Sequence, residues 1–302
     1  MKRRAALAAF VMLGLSLTAC TTGAPPAASV VVTTNILGDV VEELVGDQLD
    51  VHVLMPPNAD PHSFGVSAQD AALMRSASLL VSNGLGLEEG LVSHLDAATS
   101  DGVPLFEAGS MVEVMTHGEH GSPDPHFWTD PSQMIAVVEG IAEALEQHVP
   151  GLDEAALNQA VTHYTEELAA LDSEMANAFE TIPEAQRVLV TNHHVFGYLA
   201  AHFSFEVVGA IIPSGTTLAS PSAADLEDLS NAITAHQVPA IFADSSQPDR
   251  LAQVLAEEAS INVEVISLFT ESLSAPGEGA ETYLEMMRTN TERIVEGLAP
   301  SS

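Results

Sequence analysis

The sequence predicts an α/β protein of two lobes, each a parallel sheet with flanking helices, joined by one long rigid helix. Three observations carry that prediction. Between residues 30 and 150, short β-branched or apolar runs alternate with helical patterns, the rhythm of parallel strands covered by helices. The same alternation resumes between 186 and 299. Between the two, over 153–181, Leu157, Val161, Tyr164, Leu168, Leu171, Met175 and Phe179 recur at three- and four-residue steps, which places them on one stripe of a helix. At 1.5 Å per residue such a helix is roughly 40 Å long, about the width of a domain, and can connect two lobes. A chain of 302 residues is long enough to give each lobe its own core.

The elements follow in order. Val30, Val31 and Val32 open a buried strand through 34. A helix over 36–45 is stopped by Gly46, and a second strand over 49–55 runs into the turn-rich loop Pro56-Pro57-Asn58-Ala59-Asp60-Pro61-His62. Ser67 and Asp70 make a capping-box start for a helix through 75, followed by a strand over 79–82 and a helix over 91–98. The segment 116–128 then breaks the rhythm with histidine, glycine and acid. Asp130-Pro131 caps a helix through 148, and Asp153 caps the long one, which Pro183 ends. The second lobe reads as strands over 187–191, 205–211, 240–243 and 263–268, with helices over 196–202, 222–236, 251–259 and 280–298.

Residues 1–19 read as a targeting segment rather than as part of the fold. Lys2, Arg3 and Arg4 precede an apolar run too short to span a bilayer, the order of an export signal. Leu17-Thr18-Ala19-Cys20 resembles a bacterial lipobox, which implies cleavage and lipid modification at Cys20. Residues 20–29 then form a flexible tether. Cys20 is the single cysteine, so no intramolecular disulfide can form and the exported protein must rely on its core. Removing Lys2, Arg3 and Arg4 with the acid-free leader takes the formal charge from −34 to −37. Nucleic acid is thereby excluded as a partner. The acidity otherwise reads as a property of the solvated surface, and no site is drawn from it.

Of the twelve histidines, His52, His94, His148, His163 and His236 have no neighbour of metal-ligand type and read as solvated or packed. Three stand apart. His62 and His126 each end the tripeptide Asp-Pro-His, and His193 lies just past the end of the first strand of the second lobe. All three fall where open α/β sheets place ligands, beyond the carboxyl ends of strands. Spacing alone leaves the matter open between a metal site and ordinary histidines, since no HExxH or CxxC pattern is present.

Several stretches together carry a resemblance. Val32-Thr33-Thr34-Asn35-Ile36-Leu37-Gly38-Asp39, Asp60-Pro61-His62, Asp124-Pro125-His126-Phe127-Trp128 and His193-His194-Val195-Phe196-Gly197-Tyr198 stand in the order seen in the metal-binding solute-binding proteins of bacterial ABC transporters, the zinc and manganese group. The resemblance covers the whole mature chain. It implies a metal held between the lobes by His62, His126 and His193, with His194 at a variable position. The fourth ligand in that family is usually an aspartate after the last strand, and Glu271 takes that place here; Asp244 is the alternative carboxylate. His117, Glu119 and His120 resemble a short form of the acidic, histidine-rich loop of some zinc members, an auxiliary metal-collecting loop.

Three imidazoles and one carboxylate suit tetrahedral zinc, whereas manganese favours more oxygen donors. In the related manganese binders the third position is generally a glutamate. The expectation is therefore a monomeric, non-enzymatic zinc receptor, with manganese as the alternative ion. Cys20 would anchor it to the outer face of the cell membrane, where it would serve a permease and its ATPase. The rival from another class is a secreted zinc hydrolase, which would keep an open metal position for water. An adhesin role is conceivable for a surface lipoprotein, though no residue here speaks to it.

Overall fold

The computed structural model describes residues 28–118 and 121–299. The leader and Cys20 lie outside the described residues, as do Glu119 and His120. In the first lobe, strands β1 (Val30–Val32), β2 (Val51–Val53), β3 (Leu79–Ser82) and β4 (Leu105–Glu107) form a sheet of order β2-β1-β3-β4 in which every pairing is parallel. Helices α1 (Asn35–Val45), α2 (Ala68–Met74) and α3 (Val92–Ser100) supply its crossovers. A two-stranded antiparallel hairpin follows, β5 (Thr116–His117) against β6 (Ser122–Pro123). The chain then enters α4 (Pro131–His148) and α5 (Glu154–Phe179).

The second sheet repeats the plan. Strands β7 (Val188–His193), β8 (Glu206–Ile212), β9 (Ala240–Asp244) and β10 (Glu264–Leu268) stand in the order β10-β9-β7-β8, again all parallel. Helices α6 (Gly197–Phe203), α7 (Ala223–His236) and α8 (Arg250–Glu258) connect them, and α9 (Tyr283–Leu298) closes the chain. Among the described residues no helix is long and apolar enough to cross a membrane.

Local chemistry sets the boundaries. Thr34 caps α1 and Gly46 ends it at φ 51°. Ser67 with Asp70 and Ser222 with Asp225 form complete capping boxes. Asp130 accepts from the Ser132 N–H with Pro131 in the first turn, and Asp153 accepts from the Ala155 and Ala156 N–H groups. Beyond shifts of one or two residues at element ends, such as β7 running to His193 rather than 191, three features depart from the sequence reading. The three-residue β4 is too short to leave a periodic signal. The hairpin lies where a loop is expected. Helix α9 starts at 283 rather than 280, because the Thr282 side chain accepts from Glu285 N–H and fixes the first turn there.

The long helix organises the core. Leu157, Tyr164, Leu168, Leu171, Met175 and Phe179 are buried, while Val161 is only partly so. They belong to one apolar cluster that runs from Val30 and Val32 in β1, through Met134, Val138 and Ile141 in α4, to Leu189 in β7, Phe242 in β9 and Ile294 in α9. At roughly 2 kcal/mol for each large apolar side chain removed from water, this shared layer is the main cohesion between the lobes. Smaller clusters cover the far faces, around Val31, Met74 and Leu80 in the first lobe and Val190, Ile233 and Ile241 in the second. Both faces of both sheets are thus covered, which is why their strands read as nearly continuous apolar runs.

Candidate metal centre

The two Asp-Pro-His tripeptides fold by the same local device. Asp60 Oδ1 accepts the His62 N–H at 2.9 Å, and Asp124 Oδ1 accepts the His126 N–H at 3.1 Å. In each case the carboxylate closes a turn onto the backbone two residues on, with proline fixing the residue between. Asp124 goes further: its Oδ1 lies 2.7 Å from His126 Nδ1, which holds the ring with Nε2 turned inward. His193 is the last residue of β7, in register with Ile212. Glu271 follows β10 on a loop clamped from the first lobe, where Asn35 donates to Ser272 Oγ at 2.7 Å and accepts the Leu273 N–H at 3.0 Å.

These four side chains, three from loops and His193 from the end of β7, bring their ligand atoms within 4.8 Å of one another. Glu271 Oε1 is 2.9 Å from His193 Nε2 and 3.5 Å from His126 Nε2. Glu271 Oε2 is 3.8 Å from His62 Nε2, and the His62 and His126 Nε2 atoms are 3.5 Å apart. Ligand atoms about 2.0–2.1 Å from a tetrahedral zinc would stand roughly 3.3 Å from one another, so this spacing matches that of a single ion's ligands. All four residues are at most 1% exposed. Both Glu271 oxygens and both His193 nitrogens lack a hydrogen-bond partner, the 2.9 Å approach between them falling outside hydrogen-bond geometry. Buried polar atoms left so are costly unless something binds them.

Burial also sets the protonation. It pushes the Glu271 carboxyl well above the usual carboxylate range, against the pull of His62. It holds His126 well below the ordinary imidazole value, helped by the neighbouring His193 and His62, and it lowers His193 as well. Neutral imidazoles are the form that coordinates a cation.

Asp244 is also buried, but its oxygens are engaged: Ser246 N–H and hydroxyl donate to Oδ1 and the Thr270 hydroxyl to Oδ2. It stands behind Glu271 rather than within the group of four. His117 sits in the hairpin with its ring 6.2 Å from that of His194. His202, which the sequence reading passes over, lies 2.6 Å from Asp172 Oδ1 through Nε2 and 3.9 Å from Asp130 Oδ2 through Nδ1. Each of its nitrogens faces a different carboxylate, so the ring bridges the N-cap of α4, α5 and α6. The supporting roles of Asn35 and Asp124 were also missed, although both lie inside motifs the sequence displays.

Two parallel sheets sharing a core through one long helix, with a closed set of nitrogen and oxygen donors between them, define a class: a two-lobed metal-binding receptor. The family is more specific. The chain belongs to the family described as zinc-uptake complex component A, periplasmic, whose model matches residues 30–297. It is similar to the metal ABC transporter substrate-binding lipoprotein FimA of Streptococcus parasanguinis, with 29% identity over 97% of each chain. The same identity and coverage hold for the manganese ABC transporter substrate-binding lipoprotein PsaA of Streptococcus pneumoniae. The zinc-binding protein TroA of Treponema pallidum is 30% identical over 89% of this chain and 88% of its own. The solved structure of periplasmic TroA superposes with a TM-score of 0.85, at 27% identity, over 91% of this chain and all of that one.

Proposed function

We propose that this chain is a high-affinity extracytoplasmic zinc receptor that delivers the ion to an ABC-type importer, with His62, His126, His193 and Glu271 as the ligands. The observation that carries the reading is the meeting of three buried imidazoles and one buried carboxylate at the spacing of a single ion's ligands, with both Glu271 oxygens and both His193 nitrogens unsatisfied. A ligand set that fills the four corners leaves no position for a reacting water, so the receptor reading is preferred to a zinc hydrolase and no covalent chemistry is assigned. In this reading Cys20 carries a lipid anchor, the mature protein is a monomer at the outer face of the cell membrane, and its partners are a permease and its ATPase. The hairpin with His117, together with Glu119 and His120, would gather the ion weakly.

Manganese is the second reading, favoured by the similarity to PsaA. A competition titration of metal-free protein with zinc and manganese, on wild type and on His193→Ala, separates the two. Tight one-to-one zinc binding that outcompetes manganese and is severely weakened by the substitution is expected. Manganese preference would keep the receptor and overturn the ion, and binding of neither ion would overturn both.

A further inference from the structure

A histidine that binds metal through Nε2 carries its proton on Nδ1, and that N–H almost always has an acceptor, which orients the ring and raises its basicity. His126 has its acceptor in Asp124. His62 does not: its Nδ1 is buried and unpartnered, and the nearest carboxylate oxygen is Glu89 Oε1, 4.0 Å away. Glu89 is 45% exposed and sits on the loop after β3 in the first lobe. What holds it beside His62 comes from the second lobe: the Thr216 hydroxyl, between β8 and α7, donates to Glu89 Oε1 at 2.7 Å.

The adjacent residue repeats the arrangement. Thr217 donates its hydroxyl to Asp60 Oδ2 at 2.6 Å, joined there by Gln247 Nε2 at 3.0 Å. Consecutive threonines of one lobe therefore fall on the two carboxylates of the other lobe that flank His62, one accepting its backbone N–H and one facing its ring.

We propose that Glu89 is the positioning residue for His62, becoming the acceptor of its Nδ1–H once a side-chain rotation closes the 4.0 Å gap, and that Thr216 delivers it, so that the strength of His62 as a ligand depends on the two lobes being together. The inference rests on the assignment of His62 as a metal ligand. A partner that draws the lobes apart removes the Thr216 hydroxyl from Glu89, frees the carboxylate to swing into solvent and weakens one corner of the cage. Closure and retention of the ion are then one event.

The test pairs two measurements on full-length mature protein. Nitrogen-15 NMR of the metal-free form reads the tautomer of His62, and zinc titration reads affinity, for wild type, Glu89→Ala, Glu89→Gln and Thr216→Val. The expected result is an Nδ1–H tautomer in wild type that becomes mixed in Glu89→Ala, with zinc bound roughly tenfold more weakly, at the lower end for lost outer-shell partners. Glu89→Gln, which keeps an acceptor, should recover the tautomer and part of the affinity, and Thr216→Val should fall between. An unchanged tautomer in Glu89→Ala overturns the proposal whatever the affinity does, because Glu89 is then only a nearby charge. A wild type that binds no zinc sinks the receptor reading itself, whereas a zinc-binding wild type matched by Glu89→Ala in both measurements sinks only the role of Glu89.

Discussion

Trp128 donates its indole N–H to the carbonyl oxygen of Thr270 at 2.9 Å, joining the loop that presents His126 to the loop that presents Glu271. The Trp128 ring also stands edge-on to the His126 ring, with centroids 5.2 Å apart, and its own carbonyl accepts from the Tyr283 hydroxyl at 2.7 Å. One side chain thus spans the cleft directly behind two of the proposed ligands.

Trp128→Phe keeps most of the packing but leaves the Thr270 carbonyl without that donor. The expected cost is about 1–3 kcal/mol of stability, with weaker zinc binding because two ligands lose their common brace. Chemical denaturation and zinc titration on the same variant check it. Unchanged affinity alongside lost stability would show that the brace serves the fold alone.

Zinc binding should expel a proton from Glu271. Burial raises its carboxyl well above the usual carboxylate range in the metal-free protein, and coordination requires the carboxylate. Affinity should accordingly rise with pH as that carboxyl ionises. Calorimetric titrations in two buffers of different ionisation heat measure the protons released, and Glu271→Gln should reduce that number. Release that is equal in the variant and the wild type would assign the proton to another group.

Asp39 of α1 accepts the Tyr283 N–H at 2.8 Å at the start of α9, and burial raises its carboxyl from 3.8 to about 7 despite that bond, with Glu43 and Glu42 adding to the rise. The folded state therefore holds a proton that the unfolded chain releases at lower pH. The stability this contributes is complete below 3.8 and is lost as pH rises to about 7. Asp39→Asn should raise the thermal midpoint at pH 8 and do progressively less as pH is lowered toward 4. The same shift at every pH would mean that Asp39 does not titrate in that window.

Leu168 is fully buried in the layer shared by both sheets. Leu168→Ala should cost about 2–5 kcal/mol and leave a single unfolding transition, since the cavity opens in a core common to both lobes. Two resolved transitions, only one of them displaced, would show that the lobes unfold separately.

The parts of the architecture legible in the sequence were those written in local periodicity. The stripe on α5, the capping box at Ser67 and the valines of β1 each declare themselves within a few residues. The paired Asp-Pro-His turns were visible as motifs, although the hydrogen bonds that explain them were not. What stayed hidden depends on residues distant in sequence. The bridge from His202 to Asp172 and Asp130 joins three helices. The different situations of Glu271 and Asp244 turn on Thr270 and Ser246, which occupy the aspartate in space. Strand β4 failed for a different reason: three residues beside a strand already recognised carry too little pattern.

The four clustered side chains lie on three loops and the end of β7, and none has another as a sequence neighbour. In an unfolded chain these four donors are therefore far apart in sequence and form no chelate with one another. Under the zinc reading, the donors gain their grip only when both sheets and α5 have assembled, so the metal cannot serve as a template for folding. The ion captured is then drawn from whichever compartment the chain completes its folding in, and metal availability there, as much as the donor set, governs what the receptor first carries.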